Sequence, residues 1–235
     1  MFWEDNEGQQ ERTGTDDVVD LVFRIHCPTI PADHAHALGE ALTGLLPWLR
    51  DDAEAGVHTI HGAPTGNGWI RPDDEAADAV LHLSKRARLQ LRVPAGRVDD
   101  ARALEGQILN IHGHAIELGA STLKGLDPLP TLFARYVVAG EAMEEEDEMA
   151  FLSWVKSRLA ALDIRARKLM CGRSHTLQTP DGGLFVRSVM VADLDKDASL
   201  RLQRHGIGPL RHMGCGLFIP HKGIVSLSEG SDKES

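Results

Sequence analysis

Hydrophobic positions along this chain switch between a period of two and a period of three to four, and the switches mark its elements. Val18 to Ile25 is β-branched and bounded by polar residues, which predicts a strand. Pro31 and Asp33 then open a helix through about Leu49, with Ala37, Leu38, Ala41, Leu42, Leu45 and Leu46 at helical spacing. Val57 to Ile60 reads as a short strand before a Gly/Pro/Asn loop, and Leu89, Leu91 and Val93 alternate as in a half-buried strand. Arg97 to Gly106 predicts a short helix, and Ile108 to Leu118 one or two strands around Gly113. The order is βαββαβ, the split βαβ or ferredoxin-like unit.

The pattern then repeats. Leu132 to Val138 predicts a strand, and Met149 to Leu162 an amphipathic helix that uses Phe151, Leu152, Trp154, Val155, Leu159 and Leu162. Arg167 to Gly172 and Leu184 to Val191 predict two strands joined through Pro180-Asp-Gly-Gly183. Ala198 to His205 predicts a second helix and Leu217 to Ile219 a last strand. The fold class expected is α+β with tandem ferredoxin-like (RRM-like) domains, at 17–126 and 131–225. Two prolines interrupt the pattern between them, near Leu126 to Pro130. An acidic, disordered stretch over 1–16 and a polar tail over 226–235 complete the expected organisation.

Composition excludes some classes. The 235 residues are 42% hydrophobic and 26% charged, values of a soluble globular protein. No apolar run approaches the ~20 residues of a membrane helix, and the acidic N-terminus has no apolar stretch of the signal-peptide kind. Cys27, Cys171 and Cys215 are widely spaced, which suits neither a disulfide framework nor a CxxC zinc site. A reducing cytoplasm is the location expected.

Net charge is −10, which argues at first sight against nucleic acid. Its distribution reverses that: residues 151–222 hold twelve Lys/Arg against five Asp/Glu, and residues 1–150 twelve against twenty-seven. A basic module follows an acidic one. Within it Gly206, Gly208, Gly214 and Gly216 fall in eleven residues, among Arg204, His205, Arg211, His212 and Lys222. Glycine lets a backbone approach another molecule, and its N–H groups can line an anion-binding concavity. The expected RNA contacts are therefore Arg204, Gly206, Gly208, Arg211, Gly214, Gly216 and Lys222, with Arg165, Arg167, Lys168 and Arg173 at the helix-to-strand transition. A solvated basic face around a glycine-rich turn is the bland alternative.

Residues Gly206 to Lys222 resemble the glycine-rich loop and final strand of the CRISPR-associated endoribonucleases that process the precursor repeat transcript, in the repeat-associated mysterious protein superfamily. Ile30 to Leu38 is similar to the start of that family's first helix, which carries active-site residues, and Ser84 to Pro94 to a basic strand of one subgroup. The resemblance implies tandem ferredoxin-like domains and cleavage of a CRISPR repeat RNA hairpin without metal or cofactor. The products would be a 5′-hydroxyl and a 2′,3′-cyclic phosphate. Other subunits of a CRISPR effector complex would be further partners.

Such cleavage needs a base for the 2′-OH, positive charge at the phosphate and an acid for the leaving oxygen, and histidine suits both proton transfers. His34 ranks first among twelve histidines because it lies where the resemblance places a proton-transfer residue. His36 is the near alternative and His58 a second imidazole. In several family members a histidine lies near the end of the first helix, where this chain offers Arg50, so the acid is left open. A metal-dependent hydrolase is a rival, given the pairs His34/His36, His58/His61 and His112/His114. Two residues apart on a helix, however, side chains point ~200° away from each other. A non-catalytic RNA-binding subunit is the other rival; at 5% aromatic content base stacking would not dominate its binding.

Overall fold

A computed structural model describes residues 17–61, 79–138 and 147–221, with the side chain of Arg173 outside the described part. The N-terminal lobe runs β1 (Val18–His26), β2 (Thr29–Pro31), α1 (Ala35–Leu45), α2 (Trp48–Asp51), β3 (Gly56–Val57), β4 (Val80–His82), β5 (Arg88–Pro94), α3 (Val98–Arg102), β6 (Ile108–Ile111) and β7 (His114–Lys124). Its sheet order is β3-β5-β1-β7-β6. The C-terminal lobe runs β8 (Leu132–Val137), α4 (Glu148–Ala161), β9 (Lys168–Thr179), β10 (Gly182–Ala192), α5 (Lys196–His205) and β11 (Ile219–Pro220), in sheet order β11-β8-β10-β9. In both sheets the first strand lies between the third and fourth strands of the βαββαβ unit, with the second at the edge. That is the ferredoxin-like arrangement twice over.

Alternation on β1 shows why the first sheet forms. Val19, Leu21 and Phe23 enter a core with Leu38, Leu42, Leu89, Leu91, Ile116 and Leu118. The second core gathers Leu132, Ala134, Phe151, Val155, Leu159, Val189, Val191 and Leu202. A third cluster joins the lobes, setting Ala35 of α1 against Tyr136, Leu177, Val186, Met213 and Cys215. Within it the β9–β10 hairpin reaches α1, and the Gln178 N–H donates to Asp33 Oδ2 at 2.7 Å.

Several boundaries differ from the sequence reading, each for a physical reason. The first helix stops at Leu45 and restarts at Trp48, because Pro47 has no N–H and its ring would meet the carbonyl of Thr43. Leu42, Leu46 and Leu49 are all buried, so the apolar spacing runs through the break and hides it. The β2–β4 ribbon is too short for a periodic signal. Strand β9 continues to Thr179 through polar residues because its ladder with β10 satisfies the backbone. Residues 1–16, most of the acidic runs 73–78 and 141–148, Lys222 and the segment 223–235 lie outside the described residues. No helix among those described is long and apolar enough to cross a membrane.

Candidate active site

The glycine-rich loop faces inwards. From Arg211 to Phe218 every residue is buried. Gly216 has φ +69°, and a Cβ there would overlap the Ile207 carbonyl; at Gly214 (φ +83°) a Cβ would press on Thr59 and the Val57 carbonyl at 3.0 Å. Glycine is needed here so that chain can pack on chain. Arg211 Nε donates to the Ala55 carbonyl at 2.9 Å, and Nη2 to those of Glu54 and Arg204 at 3.2 and 2.9 Å. Burial, with the nearby charge of Arg92, lowers its pKa to about 10.

Arg211, Gly206, Gly214 and Gly216, expected to meet RNA, are buried and pack against the chain's own residues. They seat the loop between the lobes, and a Gly216→Val protein would report packing rather than binding. Among the expected RNA contacts, Gly208, Arg165, Arg167 and Lys168 are exposed, and the Arg204 side chain is 30% exposed, 3.9 Å from Asp17. Arg165 and Arg167 line an open cavity of about 690 Å3 shared with Asp163, Asp193 and Asp195, and Lys168 pairs with Asp193 at 3.2 Å. The side chain of Arg173 and all of Lys222 fall outside the described residues.

The three candidate histidines separate clearly. His34, only 3% exposed, occupies the position before α1: its Nδ1 lies 2.8 Å from the Pro31 carbonyl, and its Nε2 accepts from the Ile60 N–H at 3.0 Å. Those bonds require Nδ1–H and a lone pair on Nε2, so both ring nitrogens are engaged by backbone. His34, the first candidate for the 2′-OH proton, is thus a clamp at the start of α1. His58 lies 3.6 Å from Asp20 in the network between the lobes, its side chain 11% exposed. Burial lowers its pKa against the pull of Asp20, and the charges of Arg92 and Arg211 add to the lowering.

His36 is half-buried on the outer stripe of α1. Glu40 and Thr43 follow it at helical spacing, and Arg50 of α2 donates through Nη2 to Glu40 Oε1 at 2.6 Å and to Thr43 Oγ1 at 3.3 Å. Against this stripe sits the turn Arg211–Met213, so close that a Cβ on Gly39 would lie 2.6 Å from the His212 carbonyl oxygen. His212, 6% exposed, has Arg50, Glu40, His36 and Asp51 as its charged or titratable neighbours. Burial lowers its pKa, Arg50 adds to the effect and Glu40 opposes it. Thus Arg211 reaches one way, to the α2–β3 turn and the end of α5, while His212 next to it reaches the other way, to α1.

His212 and Glu40 were not singled out by sequence reasoning. The signal available was the Arg211-His212 pair between two left-handed positions, Leu210 and Gly214, where neighbouring side chains must diverge. No group of three or more His, Cys, Asp or Glu among the described residues is placed to hold a metal ion.

A family model described as "Cas6 Crispr" matches residues 19–223. A CRISPR-associated endonuclease Cas6 from Myxococcus xanthus (strain DK1622) is 34% identical over 202 residues, covering 86% of this chain and 81% of the relative. Among solved structures, a CRISPR-associated protein Cas6 superposes with a TM-score of 0.61 at 11% identity, over 87% of this chain and all of its own. A RAMP protein binding different RNA substrates gives 0.57 at 11%, over 86% and 98%. The product of a Cas6-related gene from Pyrococcus furiosus gives 0.53 at 13%, over 88% and 100%. At these identities the structural likeness speaks to the fold.

Proposed function

Because this chain belongs to the Cas6 family and is an endonuclease of CRISPR RNA processing, we propose that it binds a CRISPR repeat RNA hairpin and cuts it by transesterification, without a metal. The 2′-oxygen forms a bond to the adjacent phosphorus as the bond to O5′ breaks. A base takes the 2′-OH proton, an acid returns a proton to O5′, and the products are a 2′,3′-cyclic phosphate and a 5′-hydroxyl. The observation that carries the reading is the α1 stripe. His36 is the one sequence-nominated histidine on an accessible surface, and Arg50 stands one to two turns away as a cation for the phosphate. We assign a proton transfer to His36 and charge stabilisation to Arg50. We assign contact with the RNA backbone to the exposed or partly exposed Arg165, Arg167, Lys168, Arg204 and Gly208, with Arg173 and Lys222 as further candidates.

The test is single-turnover cleavage of a repeat transcript in EDTA. The expected result is metal-independent cutting with cyclic phosphate ends. His36→Ala should lower the rate ~100- to 10,000-fold with RNA affinity nearly unchanged, the range a general acid or base contributes. Wild-type cutting by a folded His36→Ala protein, or cutting that EDTA abolishes, would overturn the reading.

A further inference from the structure

The proposed reaction needs two proton transfers, and α1 supplies a single accessible histidine for them. We propose that His212, in the buried turn of the glycine-rich loop, is the general base for the 2′-OH, and that His36 is the acid that protonates O5′. This rests on the reading of the chain as a repeat-RNA endonuclease and names the second catalytic residue of that site.

Placement is the first argument. The turn Arg211–Met213 is fixed at both ends by left-handed residues, Leu210 (φ +63°) and Gly214 (φ +83°). Three backbone bonds close it: Met213 N–H to Leu210 O at 2.9 Å, Gly214 N–H to Arg211 O at 3.0 Å and Cys215 N–H to Leu210 O at 3.2 Å. On one side of His212 the Arg211 guanidinium is tied to the Glu54 and Ala55 carbonyls, and on the other Met213 is buried in the cluster between the lobes. The backbone of His212 is thus held against α1 at Gly39, three residues along the helix from His36. A catalytic group held this rigidly meets its substrate with little further ordering.

The charges that face His212 divide the roles. Arg50 and Asp51 face it from α2, and His36 and Glu40 from α1. Desolvation and the Arg50 cation favour the neutral imidazole, the form that accepts a proton. His36 lies one turn from Glu40 on the same stripe of α1 and is only half-buried, so it is the histidine of the pair open to the leaving oxygen. Proton balance is complete: the 2′-OH proton ends on His212, and the proton His36 gives to O5′ appears in the 5′-hydroxyl. No oxidant, reductant or cofactor is required.

The experiment compares His212→Gln and His36→Gln on a repeat RNA with the natural oxygen at the scissile 5′ position and on one with bridging sulfur there. Sulfur departs without protonation, so it restores a protein that lacks its acid and not one that lacks its base. His212→Gln should be slowed ~100-fold or more on both substrates and should lose the acidic limb of the pH–rate profile. His36→Gln should be slow on oxygen and return to within about tenfold of wild type on sulfur. Rescue of His212→Gln by sulfur, or an unchanged rate on oxygen, would overturn the assignment. Melting midpoints are measured alongside, and if Gln lowers that of the His212 variant, His212→Asn repeats the comparison. A wild-type protein that cuts no repeat RNA would instead sink the functional reading itself.

Discussion

Two arginines bridge the lobes, and their surroundings differ. Arg92, fully buried, holds Asp20 through Nε at 2.9 Å and Nη2 at 3.2 Å, while Nη1 donates to the Gln203 and Phe218 carbonyls at 2.8 and 2.9 Å. Arg211 meets carbonyls alone, those of Glu54, Ala55 and Arg204, and its Nη1 has no partner among the described residues. Both guanidiniums lie at the last turn of α5, where unsatisfied carbonyls concentrate partial negative charge. One bridge is thus an ion pair locked by direct hydrogen bonds, and the other a cation held by carbonyls, with the carboxylates of Glu54, Asp52 and Asp20 acting on it only through their charge. The second adjoins His212, so the loop is anchored beside the proposed active site by hydrogen bonds to backbone carbonyls.

Removing the ion-paired bridge should have the largest effect. Arg92→Met strands the Asp20 carboxylate and should cost about 3–5 kcal/mol in urea unfolding, and adding Asp20→Leu should recover most of it. Equal losses from single and double variants would show that the ion pair is not what joins the lobes there. Arg211→Met leaves three acceptors but no buried charge, and should cost less, about 1–3 kcal/mol. Its cleavage rate should nevertheless fall further than that of Arg92→Met at matched stability, because His212 loses its anchor. The opposite ranking in rate would break the comparison.

Acid should weaken the two bridges unequally. Burial alone would raise the Asp20 pKa, but the hydrogen bond with His58 and the charge of Arg92 hold it well below the usual carboxylate range. Its contribution is therefore complete above the unfolded value near ~4 and is lost as pH falls towards the lowered folded value. His58 is also lowered, so the native state binds fewer protons than the unfolded chain once pH drops through ~6.5, and stability declines from there. The melting midpoint should fall between pH 7 and 5, and His58→Gln should flatten that slope. Arg211 and its carbonyl partners do not titrate in this window, so a slope that survives in His58→Gln would report His212, whose pKa burial also lowers.

The smallest effect belongs to the exposed strip. Lys168→Ala breaks a solvated pair and should change stability by less than ~1 kcal/mol. Arg165→Ala, Arg167→Ala and Lys168→Ala should each reduce the slope of log affinity against log salt by ~0.7–0.9 if that side chain neutralises a phosphate. An unchanged slope in the triple variant would remove the strip from the RNA interface.

Both βαββαβ units were legible because core-facing positions in β1, β5, β8 and β10 keep a period of two that the helices interrupt. The break at Pro47 was written in the sequence but masked by the apolar spacing across it. The site was legible to the level of an element and no further. The start of α1 points to His34 and His36 alike, and only tertiary packing turns His34 to the Pro31 carbonyl and Ile60 N–H and leaves His36 half-buried. The glycine-rich loop was visible as a place where backbone comes close to something. That the something is β3, β8 and α1 of the same chain depends on contacts between residues more than a hundred positions apart.

In the proposed site residues 211–213 complete what α1 and α2 begin, and the order of synthesis then has a consequence. A ribosome that has delivered the whole first lobe has made His36 and Arg50 without the residue that faces them. Competence would arrive only when Arg211 emerges and finds the carbonyls of Glu54 and Ala55, more than 150 residues after they were made. Nascent chains arrested short of His212 would be inert towards the transcript, however well their first lobe had folded.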